Sequence, residues 1–385
     1  MAGWNFITAG ESHGPGLVGV IEGVPAGVSL TRQMIDQDLG RRQKGYGRGG
    51  RMAIERDQVE IWGGVRHGQT LGSPVALTVT NRDYANWKES MTPDPGISDR
   101  VVTRPRPGHA DLVGGIKYGH RDLRNVLERA SARETTMRVA LGAVARSFLR
   151  MLGIEVYGHV VSIGSVYATS REWSLEDLRR AEDSPVRVVD VDAAEAMMRV
   201  IDAAKEAGDT LGGTFEVVAF GLPVGVGSYV HWARRLEARL AASLLSIPAM
   251  KAVEVGTGFI QSDQQGSAVH DAIWWDNEKG FTRRSNRAGG LEGGITTGMP
   301  LRTRVGMKPL STLMSPLGSF DIESKEPFLA TVERSDVTAV PAAVVIGEAM
   351  VMHVLADAVL EKFGGDSMAE ILARIEAWRR TVREF

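Results

Sequence analysis

The chain has 385 residues, 43% hydrophobic and 24% charged, as expected of a soluble globular protein that buries a large core in one big domain or two ordinary ones. A net charge of −2 gives no overall attraction to nucleic acid, and the absence of cysteine excludes disulfides, thiol nucleophiles and thiolate-held metals. No basic-then-apolar leader and no apolar run approaching about 18 residues is legible, so a cytoplasmic protein is expected, with no metal site.

In chain order, residues 6–9 read as a short strand, followed by Gly10-Glu11-Ser12-His13-Gly14-Pro15-Gly16. Glycines around Ser12 and His13 allow close backbone approach to a ligand and hold a histidine on a tight turn. The order is not Gly-x-Ser-x-Gly, so a nucleophile elbow is not indicated. A single loop histidine is more often structural than catalytic. Two glycine-flanked ones, His13 and His109, bring the two readings level. Residues 17–24 alternate as a strand does, and Thr31 caps a short helix with Met34, Ile35 and Leu39 on one face. Residues 40–51 then hold five positive charges, five glycines and no acid, a backbone that an anion would order. An RGG-like strip for RNA is the alternative, but one tyrosine and a near-neutral chain favour a clamp on a small polyanion.

Residues 58–62 and 74–80 read as strands. Residues 81–103 lack periodicity and carry Pro93, Pro95 and Gly96; so long an irregular stretch within a domain is usually functional or disordered, and its position here favours function. It runs into residues 104–138, the stretch around which the chain is organised. Pro105, Pro107 and Gly108 exclude a regular element in its first half and present Arg104, Arg106, His109 and Asp111 together. Further on, Ser131 can cap a helix, with Glu134 three residues later and Met137, Leu141, Val144 and Phe148 on one face. A helix start beside several arginines is an anion site. The alternative, a solvated arginine-rich loop, does not account for a His, an Asp and stiff prolines converging there.

Beyond Gly153, strands over 154–164 and 213–222 bracket helices near 174–181 and 193–207. A helix over 232–245 and a strand over 251–258 complete a scaffold in which Met197 and Met198 read as packing. Residues 286–298 place five glycines in thirteen positions. No Gly-x-Gly-x-x-Gly occurs in this segment and no Walker lysine motif anywhere in the chain, so neither a standard dinucleotide fold nor a nucleotide triphosphatase is supported here. The interleaved Ile, Leu and Thr argue for ordered backbone near a flat ligand. A strand over 299–305 leads to Lys308-Pro309-Leu310-Ser311-Thr312, a cation and two hydroxyls beside a rigid proline, which suits a phosphate. Asp336 precedes a long apolar helix from Pro341 to about Phe363 and reads equally as a cap or a catalytic group. The charged helix over 367–383 is peripheral.

Seven segments together resemble the chorismate synthase family: GESHG at 10–14, RRQKGYGRGGR at 41–51, RPGHAD at 106–111, ERASARET at 128–135, AGG-x-x-GGI-x-x-G at 288–298, KP-x-ST at 308–312 and RSD-x-x-A-x-PA at 334–342. The resemblance implies an α+β fold, a β-α-β sandwich with helices packed between antiparallel sheets, assembled as a homotetramer. It implies one domain over 1–385 with long active-site loops at about 40–51, 81–110, 286–298 and 308–336. The implied activity is that of a lyase of the shikimate pathway. It eliminates phosphate and the C6 proton from 5-enolpyruvylshikimate 3-phosphate to give chorismate, with reduced FMN required but no net redox change.

Matched position by position, the resemblance makes Arg42, Arg48, Arg106, Arg133 and Arg334 the substrate arginines, and a planar fork suits both carboxylate and phosphate. His13 would protonate the departing phosphate, His109 would hold the protonation state of the reduced flavin, and Asp336 would assist removal of the C6 proton, with the flavin N5 as immediate base. FMN would lie against Arg129, Ala130 and Ser131, against Pro248, Ala249 and Gly293, and against Lys308, Pro309, Leu310, Ser311 and Thr312, with Arg334 also in contact. Ala130 stands where many members have Ser, and Pro248 where Gln or Asn is common; each removes one polar contact to the flavin. No nicotinamide motif is legible, so the flavin is expected to be reduced from outside. The alternatives are a phosphate-ester enzyme without flavin and an RNA-binding module through residues 40–51.

Overall fold

Leu17 and Ile21 of strand β2 (Gly16–Glu22) are buried while Val18 between them is exposed, the alternation of a strand covered on one face. It pairs antiparallel with β1 (Asn5–Ala9) and with β4 (Val75–Thr80), and β4 pairs with β3 (Val59–Gly63), giving the order β1-β2-β4-β3. A second antiparallel sheet has the order β8-β9-β7-β5-β6, from β5 (Glu155–Ile163), β6 (Val166–Tyr167), β7 (Gly213–Phe220), β8 (Met250–Val255) and β9 (Leu301–Met307). This computed structural model describes residues 3–49, 56–277, 280–332 and 336–385.

Helices fill the space between the sheets. The helices that place the site are α1 (Arg32–Gln43), α2 (Asp111–Tyr118), α3 (Arg124–Ala130), α4 (Thr135–Met151) and α5 (Val340–Phe363). Helix α4 lies on the first sheet, with Met137 and Leu141 over Gly19, where a Cβ would stand 2.6 Å from Met137 Cγ. Helix α5 lies on the second sheet, with Gly347 against Phe215 and Val344 against Gly158. The two helices meet at Gly142 and Ala349, so a glycine sets the spacing at each of these contacts. Helix α5 is long and apolar enough to cross a bilayer, yet 89% of its most apolar window is buried inside the protein, as a central core helix requires.

One buried charge network locks these layers. Glu348 on α5 is fully buried and accepts from Arg146 at 2.6 Å, from Arg41 at 2.9 Å and from the Gly158 backbone at 2.8 Å. Arg146 and Arg41 also bracket Asp38. Burial alone would raise the Asp38 carboxyl, but the two guanidiniums outweigh it and hold it below the ordinary value. Helix α1, α4, α5 and β5 are thereby fixed to one another, with Arg42 next in chain after Arg41.

The strands of the first sheet, α1, α4 and α5 lie where the sequence pattern places them. Two differences concern the central stretch. Helix α2 forms in the first half of that stretch, where the prolines and Gly108 predict no regular element, and α3 forms just ahead of the predicted cap at Ser131. A Cβ at Gly114 would stand 2.4 Å from Val126 and one at Gly115 2.5 Å from Leu123, so the low-propensity glycines allow α2 and α3 to pack. Ser131 does cap, accepting from the Arg133 amide at 3.3 Å, but what it caps is a short 3₁₀ turn, Ala132–Glu134, which re-aims the chain into α4. A further hairpin, Ile273–Asp276 with Gly280–Arg283, had no strand signal in our reading.

Candidate active site

A cavity of about 490 Å³ opens at the end of the sandwich where α4 and α5 begin and α1 ends. The β1–β2 turn, the loop before α2, the α3–α4 junction and the ends of β8 and β9 all reach it. Among the described residues six cations line it: Arg42, Arg48, Arg106, Arg133, Lys251 and Lys308.

His13 sits on the β1–β2 turn. Gly10 makes that turn possible, with φ 107° and a position where a Cβ would stand 2.4 Å from the Gly16 carbonyl. Asn81 pins the turn by donating to the Glu11 and Gly14 carbonyls at 3.1 and 2.8 Å. The His13 amide donates to Glu128 Oε2 at 2.8 Å, and the ring Nδ1 lies 2.9 and 3.0 Å from the two carboxylate oxygens. Arg124 donates to Glu128 at 3.1 Å. Burial would raise the Glu128 carboxyl, but hydrogen bonding and charge from His13, with Arg124, lower it. The indole of Trp87 stacks on the His13 ring at 3.9 Å between centroids.

His109 is held in a different way. Its Nδ1 lies 2.5 Å from Asp111 Oδ1, and Asp111 also accepts from Arg106 Nε at 2.9 Å. Arg106 reaches on to Thr312 Oγ1 at 3.0 Å, joining this loop to the segment after β9. The buried Asp111 carboxyl would rise, yet His109 and Arg106 together pull it well below the usual carboxylate range. Both site histidines are therefore anchored through Nδ1 by an ionised acid, which places the proton on that nitrogen and the opposite ring edge elsewhere.

Three arginines crowd the α4 start. Arg42 donates to Thr135 Oγ1 at 3.1 Å and to the Ala132 carbonyl at 2.9 Å. Arg133 donates to Asp57 at 2.6 Å and Asn81 at 3.0 Å. Burial, with Arg48 and Arg133 nearby, brings Arg42 down to about 10, so it remains charged at neutral pH. Arg48 pairs with Asp336 at 2.8 Å, and the Gly49 amide donates to Asp336 at 2.6 Å. Asp336 thus stitches the basic loop to the segment preceding α5. Such density of buried positive charge on a helix start favours a multiply charged anion. The arginines point into the protein, contrary to what an RNA-binding strip would need; residues 50 and 51 lie outside the described residues.

The facing wall is flatter and less polar. Ile247 accepts from the Met250 amide at 3.2 Å across Pro248 and Ala249, and Ala249 has φ 71°, the form of a type II turn. Left-handed geometry costs an alanine about 1–2 kcal/mol. Here it turns the Ala249 carbonyl to accept from the Lys308 amide at 3.0 Å, tying β8 to β9. Pro248, Ala249, Met250, Leu310 and Ile346 supply apolar surface, with Lys251, Lys308, Ser311 and Ser131 around it. Burial and the neighbouring Lys251 lower the Lys308 ammonium, a repulsion that a bound anion would relieve.

Thus the structure gathers His13, His109, Asp336, Arg42, Arg48, Arg106 and Arg133 around one cavity, with Ala130, Ser131, Pro248, Ala249, Lys308, Leu310, Ser311 and Thr312. Three expected flavin contacts do not line it. Arg129 turns its guanidinium to the Thr8 and Gly10 carbonyls at 2.9 and 3.1 Å, bracing the end of β1. Gly293 lies in the turn between Leu291–Glu292 and Ile295–Thr296, beside Tyr229. Pro309 is the rigid spacer between Lys308 and Leu310. Arg334 lies outside the described residues. Glu128, Asp57, Trp87 and Arg124 also hold the site, and no motif in the sequence singles them out. The only local signal was an acid in an arginine-rich stretch, since each partner is far away in sequence.

The sequence pattern of a family described as chorismate synthase matches residues 4–360. The chain is 57% identical over 387 residues to a chorismate synthase of Geobacillus thermodenitrificans, covering 99% of this chain and 100% of that one. It is 56% identical over 388 residues to one of Bacillus subtilis, with the same coverage. A solved structure described as a crystal structure of chorismate synthase superposes with a TM-score of 0.81 at 43% identity, covering 100% of both chains.

Proposed function

The chain belongs to the chorismate synthase family, and from that premise we propose that the cavity at the starts of α4 and α5 is where the elimination takes place. The enzyme is a carbon–oxygen lyase acting on 5-enolpyruvylshikimate 3-phosphate, and its product is chorismate. The C3–O bond breaks with its electrons leaving on phosphate, the C6 proton is lost, and the ring gains one double bond. Oxidation state is unchanged overall.

The observation that carries the proposal is the convergence of six cations on one cavity that two carboxylate-anchored histidines also face. The substrate bears two carboxylates and a phosphate, and Arg42, Arg48, Arg106 and Arg133 are set to bind them. A flavin fits the same cavity. Pro248, Ala249 and Leu310 give a flat ring an apolar bed, and Lys308, Ser311 and Thr312 would hold a terminal phosphate, which suits FMN. When bound and reduced, that cofactor supplies transient electron density that eases loss of phosphate. Around it, the chain's own residues orient the substrate and handle protons. His13 donates from Nε2 to the departing phosphate, His109 sustains the charge state of the cofactor side, and Asp336 holds Arg48 and the clamp loop while assisting loss of the C6 proton. Reduction of the flavin comes from an external donor, and the active assembly is a homotetramer.

The test is His13→Ala in anaerobic single-turnover chorismate formation with pre-reduced FMN, read beside thermal melting. Loss of a general acid slows the reaction about 10²–10⁴-fold with the fold intact. Normal turnover would defeat the assignment.

A further inference from the structure

We propose that Glu128 is the positioning residue of this reaction: it fixes the rotamer and tautomer of His13, with Trp87 closing one face of the ring. The inference rests on the reading of His13 as the acid for phosphate.

Glu128 stands in the last turn of α3, and its side chain is almost fully enclosed. It receives two donors from the same residue, the His13 amide at 2.8 Å and the ring Nδ1 at 2.9 Å. The first fixes the backbone of the turn and the second fixes the rotation of the imidazole. A mere brace would not need this side chain. The Ser12 amide already donates to the Glu128 backbone carbonyl at 3.1 Å, a contact that any residue at 128 supplies.

The carboxylate stays ionised between His13 and Arg124, so Nδ1 keeps its proton in both charge states of the ring. Nε2 is then the nitrogen whose proton passes to the leaving phosphate. The imidazolium present before transfer is stabilised by an anion 2.9 Å away, and the neutral ring left afterwards is already in the tautomer that can be reprotonated at Nε2. Trp87 removes the remaining tilt. Its indole stacks on His13 at 22° between planes, its Nε1 donates to Asp83 at 3.0 Å, and Arg100 lies over the indole at 4.1 Å. Residues 81–103, irregular in sequence, are by this account the support of the acid.

A double-mutant cycle with Glu128→Gln, His13→Ala and the pair tests this in anaerobic single turnover with pre-reduced FMN. Removing a ligand-orienting partner is expected to slow the step about 10–100-fold. Substrate affinity for the oxidised complex stays within about threefold, and adding Glu128→Gln to His13→Ala has no further effect. In flavin-free protein labelled with ¹⁵N-histidine, the resonance missing from His13→Ala should report a protonated Nδ1 in wild type and a shift toward the other tautomer in Glu128→Gln. Wild-type turnover in Glu128→Gln, or equal slowing with and without His13, overturns the proposal. A normal His13→Ala would instead defeat the acid reading itself, whereas a slow His13→Ala beside a normal Glu128→Gln defeats only this inference. If the Gln variant does not fold, the same cycle is run with Glu128→Asp, which keeps the charge but withdraws it by one methylene, and the same outcomes decide.

Discussion

Replacing Asp111 by Asn should destabilise the protein at neutral pH and do so progressively less in acid. The carboxylate is fully buried and accepts four contacts, from Arg106 Nε at 2.9 Å, the Arg106 amide at 3.2 Å, Arg106 Nη2 at 3.2 Å and His109 Nδ1 at 2.5 Å. Asn keeps one acceptor, turns an NH₂ toward donors and leaves a buried guanidinium without its counter-charge. Breaking a buried pair from one side costs about 3–5 kcal/mol, and the partly open cavity beside His109 argues for the lower end, about 3 kcal/mol. That is a large part of a typical stability of about 5–15 kcal/mol but leaves a folded enzyme. The folded Asp111 carboxyl lies far below its unfolded value of about 3.9, so its contribution is complete above about pH 5. It is lost as pH falls through the unfolded value toward the folded one. Urea unfolding of both proteins from pH 7 down to pH 3 should therefore give a gap that narrows with acid. A gap under about 1 kcal/mol at pH 7, or one that stays constant to pH 3, would refute this account of the loop.

Three further outcomes are expected. Arg48→Ala should weaken substrate binding to the oxidised FMN complex by about 1.5–3 kcal/mol, the usual worth of a hydrogen bond to a charged group, with flavin affinity nearly unchanged. Calorimetric titration reads both, and unchanged substrate affinity would remove Arg48 from the site. Gly142→Ala would place a Cβ 2.5 Å from that of Ala349 where α4 crosses α5, and overpacking of that kind costs about 1–3 kcal/mol despite the better helix propensity. A raised melting temperature would mean the two helices can part. Light scattering should find a tetramer at micromolar concentration, and a monomer would count against the assembly that the family resemblance implies.

Local periodicity determined much of the scaffold. Alternation marked β2, a 3.6-residue stripe marked α1 and α4, and a largely apolar stretch after Pro341 marked α5, because each pattern is a property of neighbours in the chain. The glycine-framed His13, the basic loop at 40–51 and Arg106 were legible for the same reason, since residue type and turn chemistry are local, whereas the role of each arginine came from the family resemblance. Only the tertiary structure decided what each group meets. His13 finds Glu128 115 residues away, Arg106 finds Thr312 after 206, and the Gly49 amide finds Asp336 after 287. Gly114 and Gly115 have low helix propensity, and α2 holds them because Val126 and Leu123 pack where a side chain would stand. The Arg129 guanidinium meets the Thr8 and Gly10 carbonyls at the end of β1, partners that no local pattern announces. A buried charge must be compensated and a layer contact must fit, and both conditions are set by groups that only the fold brings together.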